Sequence, residues 1–239
     1  RAMLKAETTI QDAKIRTISV VAQPQTEGEP CNAGTLIEAL EWHVHSHPKR
    51  MHVRLLGQQG EEEEISYADL MDGAERICTG LRERGLLPGQ SVALMLPTGR
   101  AFFISLYGIL MAGGIPVPIY PPMRLKQVEE HMRRQTGILS NAQAVLLITF
   151  DEVKPVLKLL KSQVESLQTI VTVDDLSTMN SNAGRPRLNP NDIALLQYTS
   201  GSTGNPKGVV LTHANLLANI RAMGQAVEVT PKDVFVSWL

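Results

Sequence analysis

Ten residues at positions 199–208 read T-S-G-S-T-G-N-P-K-G, and they stand between two apolar runs, A-L-L-Q-Y before them and V-V-L after. Two strands must therefore be joined by a loop rich in glycine and hydroxyl groups. Gly201 and Gly204 open backbone conformations closed to other residues, Thr199, Ser200, Ser202 and Thr203 bring rotatable hydroxyl donors, and Lys207 adds a compact positive charge. Successive backbone N–H groups in such a segment curl around an anion. The combination points to phosphate, with ATP as its carrier, and Pro206 stiffens the exit.

The pattern is not the Walker loop G-x-x-x-x-G-K-[ST], in which lysine follows glycine directly and a helix begins at once. Here Asn205 and Pro206 separate Gly204 from Lys207, no Ser or Thr follows the lysine, and Val209, Val210 and Leu211 continue as a strand. An anion held between two strands has no helix dipole behind it and depends on backbone donors, hydroxyls and Lys207. The competing explanation is a flexible Gly/Ser connector. Such a connector has no need of Pro-Lys-Gly fixed between apolar strands.

The run T-S-G-S-T-G-N-P-K-G-V-V-L-T-H-A-N resembles the phosphate-loop signature of adenylate-forming enzymes, which comprise acyl-CoA synthetases, fatty acyl-AMP ligases and peptide-synthetase adenylation domains. I-S-Y-A-D-L at 65–70 and G-G-I-P-V-P-I-Y-P-P at 113–122 agree with it, so the resemblance covers about residues 34–239. It implies an α/β fold with a layered, largely parallel sheet flanked by helices, here the N-terminal portion of the large domain. It also implies that a carboxylate attacks the α-phosphate of ATP, supplied with Mg2+, and that the acyl group then passes to a thiol. Thr199, Ser200, Gly201, Ser202, Thr203, Gly204 and Lys207 are the nucleotide-binding candidates on this reading. No catalytic and no metal-ligating residue is assigned within the chain. Pro118, Ile119, Tyr120, Pro121 and Pro122 resemble the P-x-Y-P-P segment of fatty acyl-AMP ligases, which points to a fatty acid substrate and an acyl carrier protein, with CoA as the alternative acceptor. A non-catalytic nucleotide-binding or scaffold module is the alternative of another class. The resemblance places the adenine site, a ribose-binding acid and a C-terminal lysine later than Leu239, so the chain reads as part of a longer protein with further domains and as inactive alone.

A formal net charge of −1 over 239 residues gives no basic surface for nucleic acid. Cys31 and Cys78 lie far apart with no partner motif, which suits a reducing, cytoplasmic setting. The uncharged stretch 101–120 is long enough to cross a bilayer. Gly113, Gly114, Pro116 and Pro118 divide it into a helix and a short strand, so it reads as core rather than a membrane span.

Capping signals at Thr35 with Glu38 and at Ser66 with Asp69 start two helices. In the second, Leu70, Ala74, Ile77 and Leu81 recur at helical spacing and Gly85 offers the stop. Strands are predicted at 92–96, 115–119, 144–148, 169–173 and 193–197, with helices at 102–111, 125–139, 153–167 and 214–227 as the crossovers that parallel strands require. Residues 1–33 read as a tail, helical over 1–14, and a linker; 34–239 read as the first part of the adenylating domain.

Four other features have plain explanations. His43, His45, His47 and His52 invite a metal reading, yet i and i+2 on a helix face different ways and Pro48 ends the helix, which leaves a solvated helix end. Glu61, Glu62, Glu63 and Glu64 suit a wet hairpin tip, with Ile65 and Tyr67 returning to the sheet. His213 follows Thr212, which caps a helix with Asn215 in the reciprocal position, so a structural role is preferred for it. Tyr198 reads as core packing.

Overall fold

Ser66 begins the best-specified element of the chain. Its hydroxyl accepts from the Asp69 amide at 3.1 Å, and the Asp69 carboxylate accepts from the Ser66 amide at 2.9 Å. This closed capping box satisfies donors that a helix start leaves without partners. The helix runs over Tyr67–Glu83 and buries Leu70, Ala74, Ile77 and Leu81 along one stripe. It stops before Gly85, whose φ of +84° only glycine adopts without strain.

The computed structural model describes residues 30–57, 60–121, 128–154, 157, 161–177, 184–199 and 206–237. In chain order its elements are α1 (Leu36–Ser46), β1 (Met51–Leu56), β2 (Glu62–Ser66), α2 (Tyr67–Glu83), β3 (Ser91–Leu94), α3 (Arg100–Met111), β4 (Ile115–Pro118), α4 (Val128–Asn141), β5 (Ala144–Thr149), β6 (Thr169–Thr172), α5 (Val173–Ser177), β7 (Ile193–Thr199), β8 (Lys207–Thr212) and α6 (His213–Ala226). The expected tail helix at 1–14 lies outside the described residues.

Four strands form a parallel sheet in the order β4-β3-β5-β6. Successive side chains of a strand point to opposite faces, and here both faces are covered. Val92, Leu94, Leu146 and Ile148 face a core built with α2 and α3, whereas Ala93, Met95 and Leu147 face a second core that includes Ile138 and Leu139 of α4. Burial on both faces explains why these strands are continuous apolar runs rather than alternating ones. The uncharged 101–120 stretch is α3 and β4, and most of it is buried. Among the described residues no helix is long and apolar enough to cross a membrane.

Several expectations are corrected. Glu62, Glu63 and Glu64 lie in β2 itself, antiparallel to β1 with Glu64 opposite Arg54, and Tyr67 opens α2 instead of returning to the sheet. Residues 162–168 turn rather than continue a helix from 153, because Val164 and Leu167 fold into the second core and the Gln168 amide donates to the Val145 carbonyl at the start of β6. Strand β7 pairs antiparallel with β8 alone among the described residues, packing beside β4 without joining the parallel ladder. The cap at Thr35 is half of a box: its side chain accepts from the Glu38 amide, but the Glu38 carboxylate takes the Gly34 amide at 2.7 Å.

Candidate functional site

Strands β7 and β8 form the hairpin that carries the glycine and hydroxyl run. Their register sets Tyr198 opposite Gly208 and Thr199 opposite Lys207, so the last pair of the ladder holds both ends of the loop. Thr199 and Lys207 are exposed, and the Lys207 ammonium forms no ion pair with a described residue. A hydroxyl and a cation with no ion-pair partner among the described residues thus flank the opening. Ser200, Gly201, Ser202, Thr203 and Gly204 lie outside the described residues.

Below that pair the hairpin is tied to the domain. Tyr198 packs its ring against the second core, and its phenol donates to Asn141 Oδ1 at 2.5 Å, at the end of α4. Burial raises the Tyr198 pKa, so the phenol keeps the proton that it donates. Its ring also covers Gly208: a Cβ there would stand 2.9 Å from Tyr198 Cζ, closer than side-chain atoms approach. Glycine in P-K-G therefore has a packing reason besides turn chemistry. The Asn141 contact had no signal in the sequence, because the partners are 57 positions apart.

The far end of the hairpin passes into α6 through the anticipated cap. Thr212 Oγ1 accepts from the Asn215 amide at 3.1 Å, and Asn215 Oδ1 accepts from the Thr212 amide at 3.1 Å. His213 is 2% exposed, and its Nδ1 accepts the Leu36 amide at 3.2 Å, joining α6 to the start of α1. Burial lowers its pKa, only partly opposed by Asp192 and Glu38. These contacts make His213 a structural link.

The histidines near Pro48 are not a wet helix end. His43 and His52 both stack on the Tyr67 ring, at 4.3 and 4.5 Å between centroids, and His47 meets its edge. Of His43, His45 and His47, only His45 is exposed as expected. Among the described residues no group of three His, Cys, Asp or Glu is arranged to hold a metal.

The AMP-binding enzyme family matches residues 40–239, most of the chain and all of the hairpin. The chain belongs to that family. It is 32% identical over 213 residues to a medium-chain-fatty-acid–[acyl-carrier-protein] ligase, JamA of Moorena producens, a match covering 86% of this chain and 35% of that protein. It is 31% identical over 186 residues to the long-chain-fatty-acid–AMP ligase FadD32 of Mycobacterium marinum, covering 76% of this chain and 29% of the relative. A solved structure from work on fatty acyl-adenylate ligases of E. coli and L. pneumophila superposes with a TM-score of 0.79 at 30% identity, covering 86% of this chain and 37% of that one. The fold is thus that of the N-terminal part of adenylate-forming enzymes. The chain spans about a third of the length of these relatives.

Proposed function

We propose that the chain is the first part of an enzyme that activates a fatty acid as its acyl-adenylate and hands the acyl group to the phosphopantetheine thiol of an acyl carrier protein. In the first step a carboxylate oxygen bonds to the α-phosphorus of ATP, and the bond from that phosphorus to the bridging oxygen of pyrophosphate breaks. In the second, the thiol sulfur bonds to the acyl carbon, AMP leaves and the thiol proton is released. Mg2+ enters with the ATP phosphates. On this reading the setting is cytoplasmic.

The observation that carries the reading is Lys207 set opposite Thr199 at the mouth of the glycine and hydroxyl loop. That arrangement offers positive charge and donors where pyrophosphate charge develops, a site where preorganised groups act most strongly on a rate. Ser200, Gly201, Ser202, Thr203 and Gly204 complete the phosphate cradle in this proposal. The acyl and carrier-protein assignments draw on the two ligase relatives and on the Pro118–Pro122 segment.

ATP–pyrophosphate exchange driven by a fatty acid tests the first step in the full-length protein, and Lys207→Ala should reduce it by on the order of 10²-fold or more. Unchanged exchange would overturn the phosphate assignment. Supplying holo-carrier protein or CoA tests the second step, and efficient acyl-CoA formation would replace the carrier with CoA while leaving adenylation intact. Residues 1–239 alone should show no exchange, since phosphate contacts without the remainder of the relatives' length anchor little of the nucleotide.

A further inference from the structure

Strand β8 leaves Lys207, Gly208, Val209 and Val210 exposed, so little side-chain burial fixes the half of the hairpin that carries the cation. What holds this end is the pair beneath it. Tyr198 is directly opposite Gly208, one step from the Thr199 and Lys207 pair, and its ring occupies the space that a Cβ at 208 would take. From the same ring the phenol donates to Asn141, which ends α4 just before β5 of the parallel sheet. Ile138, Leu139 and Ala142 beside Asn141 are buried in the core that also receives Tyr198. A buried part of the domain is thereby connected through one side chain to the backbone next to Lys207.

We propose that Tyr198 is a positioning residue for Lys207, acting through its ring on Gly208 and its hydrogen bond to Asn141. The inference rests on the reading of Lys207 as a phosphate contact. Tyr198 touches no reacting atom; its part is to set the height and direction of the two strand ends before the nucleotide arrives. Lysine is a flexible side chain, and the backbone that bears it determines which volume its ammonium can sweep. Displacements of about 1 Å away from the reacting groups cost up to roughly 10²-fold in rate. Fixing those strand ends in advance also lowers the ordering cost of binding phosphate.

The test uses the full-length enzyme and fatty-acid-dependent ATP–pyrophosphate exchange. Tyr198→Phe keeps the ring over Gly208 and removes the hydroxyl; Asn141→Ala removes the acceptor. Each should raise the KM for ATP and for pyrophosphate by about 3- to 10-fold, with the fatty-acid KM unchanged, as expected for one lost hydrogen bond of about 0.5–1.5 kcal/mol. Their double variant should be no worse than either alone, because both break the same link. Asn141→Asp, which retains an acceptor oxygen, should keep the ATP KM near that of the parent. Gly208→Ala, which drives a Cβ into the Tyr198 ring, should have the larger effect.

A merely structural role would lower the amount of folded enzyme and move the substrates' KM values together or not at all. Equal changes in the ATP and fatty-acid KM, or additive effects of Tyr198→Phe and Asn141→Ala, would overturn the inference. Lys207→Ala separates the two levels. If it abolishes exchange while Tyr198→Phe and Asn141→Ala leave the ATP KM unchanged, only the positioning role fails; if it has no effect, the phosphate reading itself fails.

Discussion

His43 Nδ1, in the last turn of α1, stands 2.8 Å from Nε2 of His47, the residue that caps the helix, so one imidazole donates a hydrogen bond to the other. The bond needs an N–H on one ring and a lone pair on the other, and protonating both rings would remove the acceptor and set two like charges together. Burial, followed by the charges of His47, His52 and Arg50, lowers the His43 pKa from 6.5 to about 4. Burial and Arg50 lower His47 and His52 as well. Tyr67, the ring between His43 and His52, stays neutral because burial raises its pKa against the pull of Arg50.

A pH dependence follows with a definite sign. These histidines bind protons more readily when unfolded, so their contribution to stability is complete above pH 6.5 and is lost as pH falls below it, for His43 down to about 4. His213, also lowered by burial, acts in the same direction. The depressed carboxylates Asp69 and Asp175 lose their contributions only below their usual 3.8, in a separate and more acid window. Urea unfolding at pH 7.5, 6 and 4.5 should show a midpoint that falls steadily. His43→Phe preserves a ring on Tyr67 and should flatten that slope, while lowering stability at pH 7.5 by about 0.5–1.5 kcal/mol for the lost hydrogen bond. An unchanged slope would exclude His43 as a titrating group.

A charge-retaining change at the loop separates charge from shape. Lys207→Arg keeps a cation but replaces a compact ammonium by a planar fork with different reach. Exchange activity should fall by roughly tenfold, between the parent and Lys207→Ala. Parent-level activity in Lys207→Arg would mean that charge alone suffices at this position.

The parts that were legible in the sequence are those encoded over a few residues. Ser66 with Asp69, Thr212 with Asn215 and the Gly85 stop each declare a helix end within one turn, and each stands where expected. The apolar runs of β3 and β5 declared a doubly covered parallel sheet for the same reason, since burial is a property of the run itself. What escaped notice depends on distant residues meeting. His52 reaches the Tyr67 ring because the β1–β2 hairpin folds back on the start of α2, and Asn141 reaches Tyr198 because β7 packs beside β4. Val164 and Leu167 read as a continuation of the helical stripe that holds Leu157, but both are buried after the helix has ended, from the segment that turns the chain into β6. Of the candidate site, Thr199 and Lys207 were readable as chemistry; their support was not.

Helix packing offers a test in which two opposing magnitudes decide the sign. Replacing helical glycine by alanine gains about 0.8–1.0 kcal/mol of helix propensity. At Gly137 of α4 nothing lies within 4 Å of the new methyl, so Gly137→Ala should stabilise by about 0.5–1 kcal/mol. At Gly80 of α2 the methyl would fall on the Leu176 backbone, with the Leu176 carbonyl carbon and Cα at 2.9 Å. Backbone cannot rotate away, and Gly80→Ala should destabilise by about 1–3 kcal/mol net. Gly73→Ala meets the Ile104 side chain instead and should fall between them. Thermal melts of the three variants give the order directly.

Surface composition near the candidate site predicts how residues 1–239 behave in solution. Val209 and Val210 of β8, Ile220 and Met223 of α6, and Val227, Val234 and Phe235 beyond it are all exposed, Phe235 at 90%. Val209 and Val210 are neighbours on a strand and point to opposite faces, so apolar surface lies open on both sides of β8. Among the described residues β8 is paired on one edge only, which leaves a row of backbone donors and acceptors beside that surface. Exposed apolar area of this kind drives association when nothing else covers it. Sedimentation of residues 1–239 should therefore show concentration-dependent self-association, accompanied by binding of an apolar dye. Val210→Lys places a charge on β8 beside the exposed edge and should shift the population toward monomer, with little change in the melting of the parallel-sheet core. A chain that remains monomeric at high concentration and binds no dye would show that this face is covered within residues 1–239 themselves.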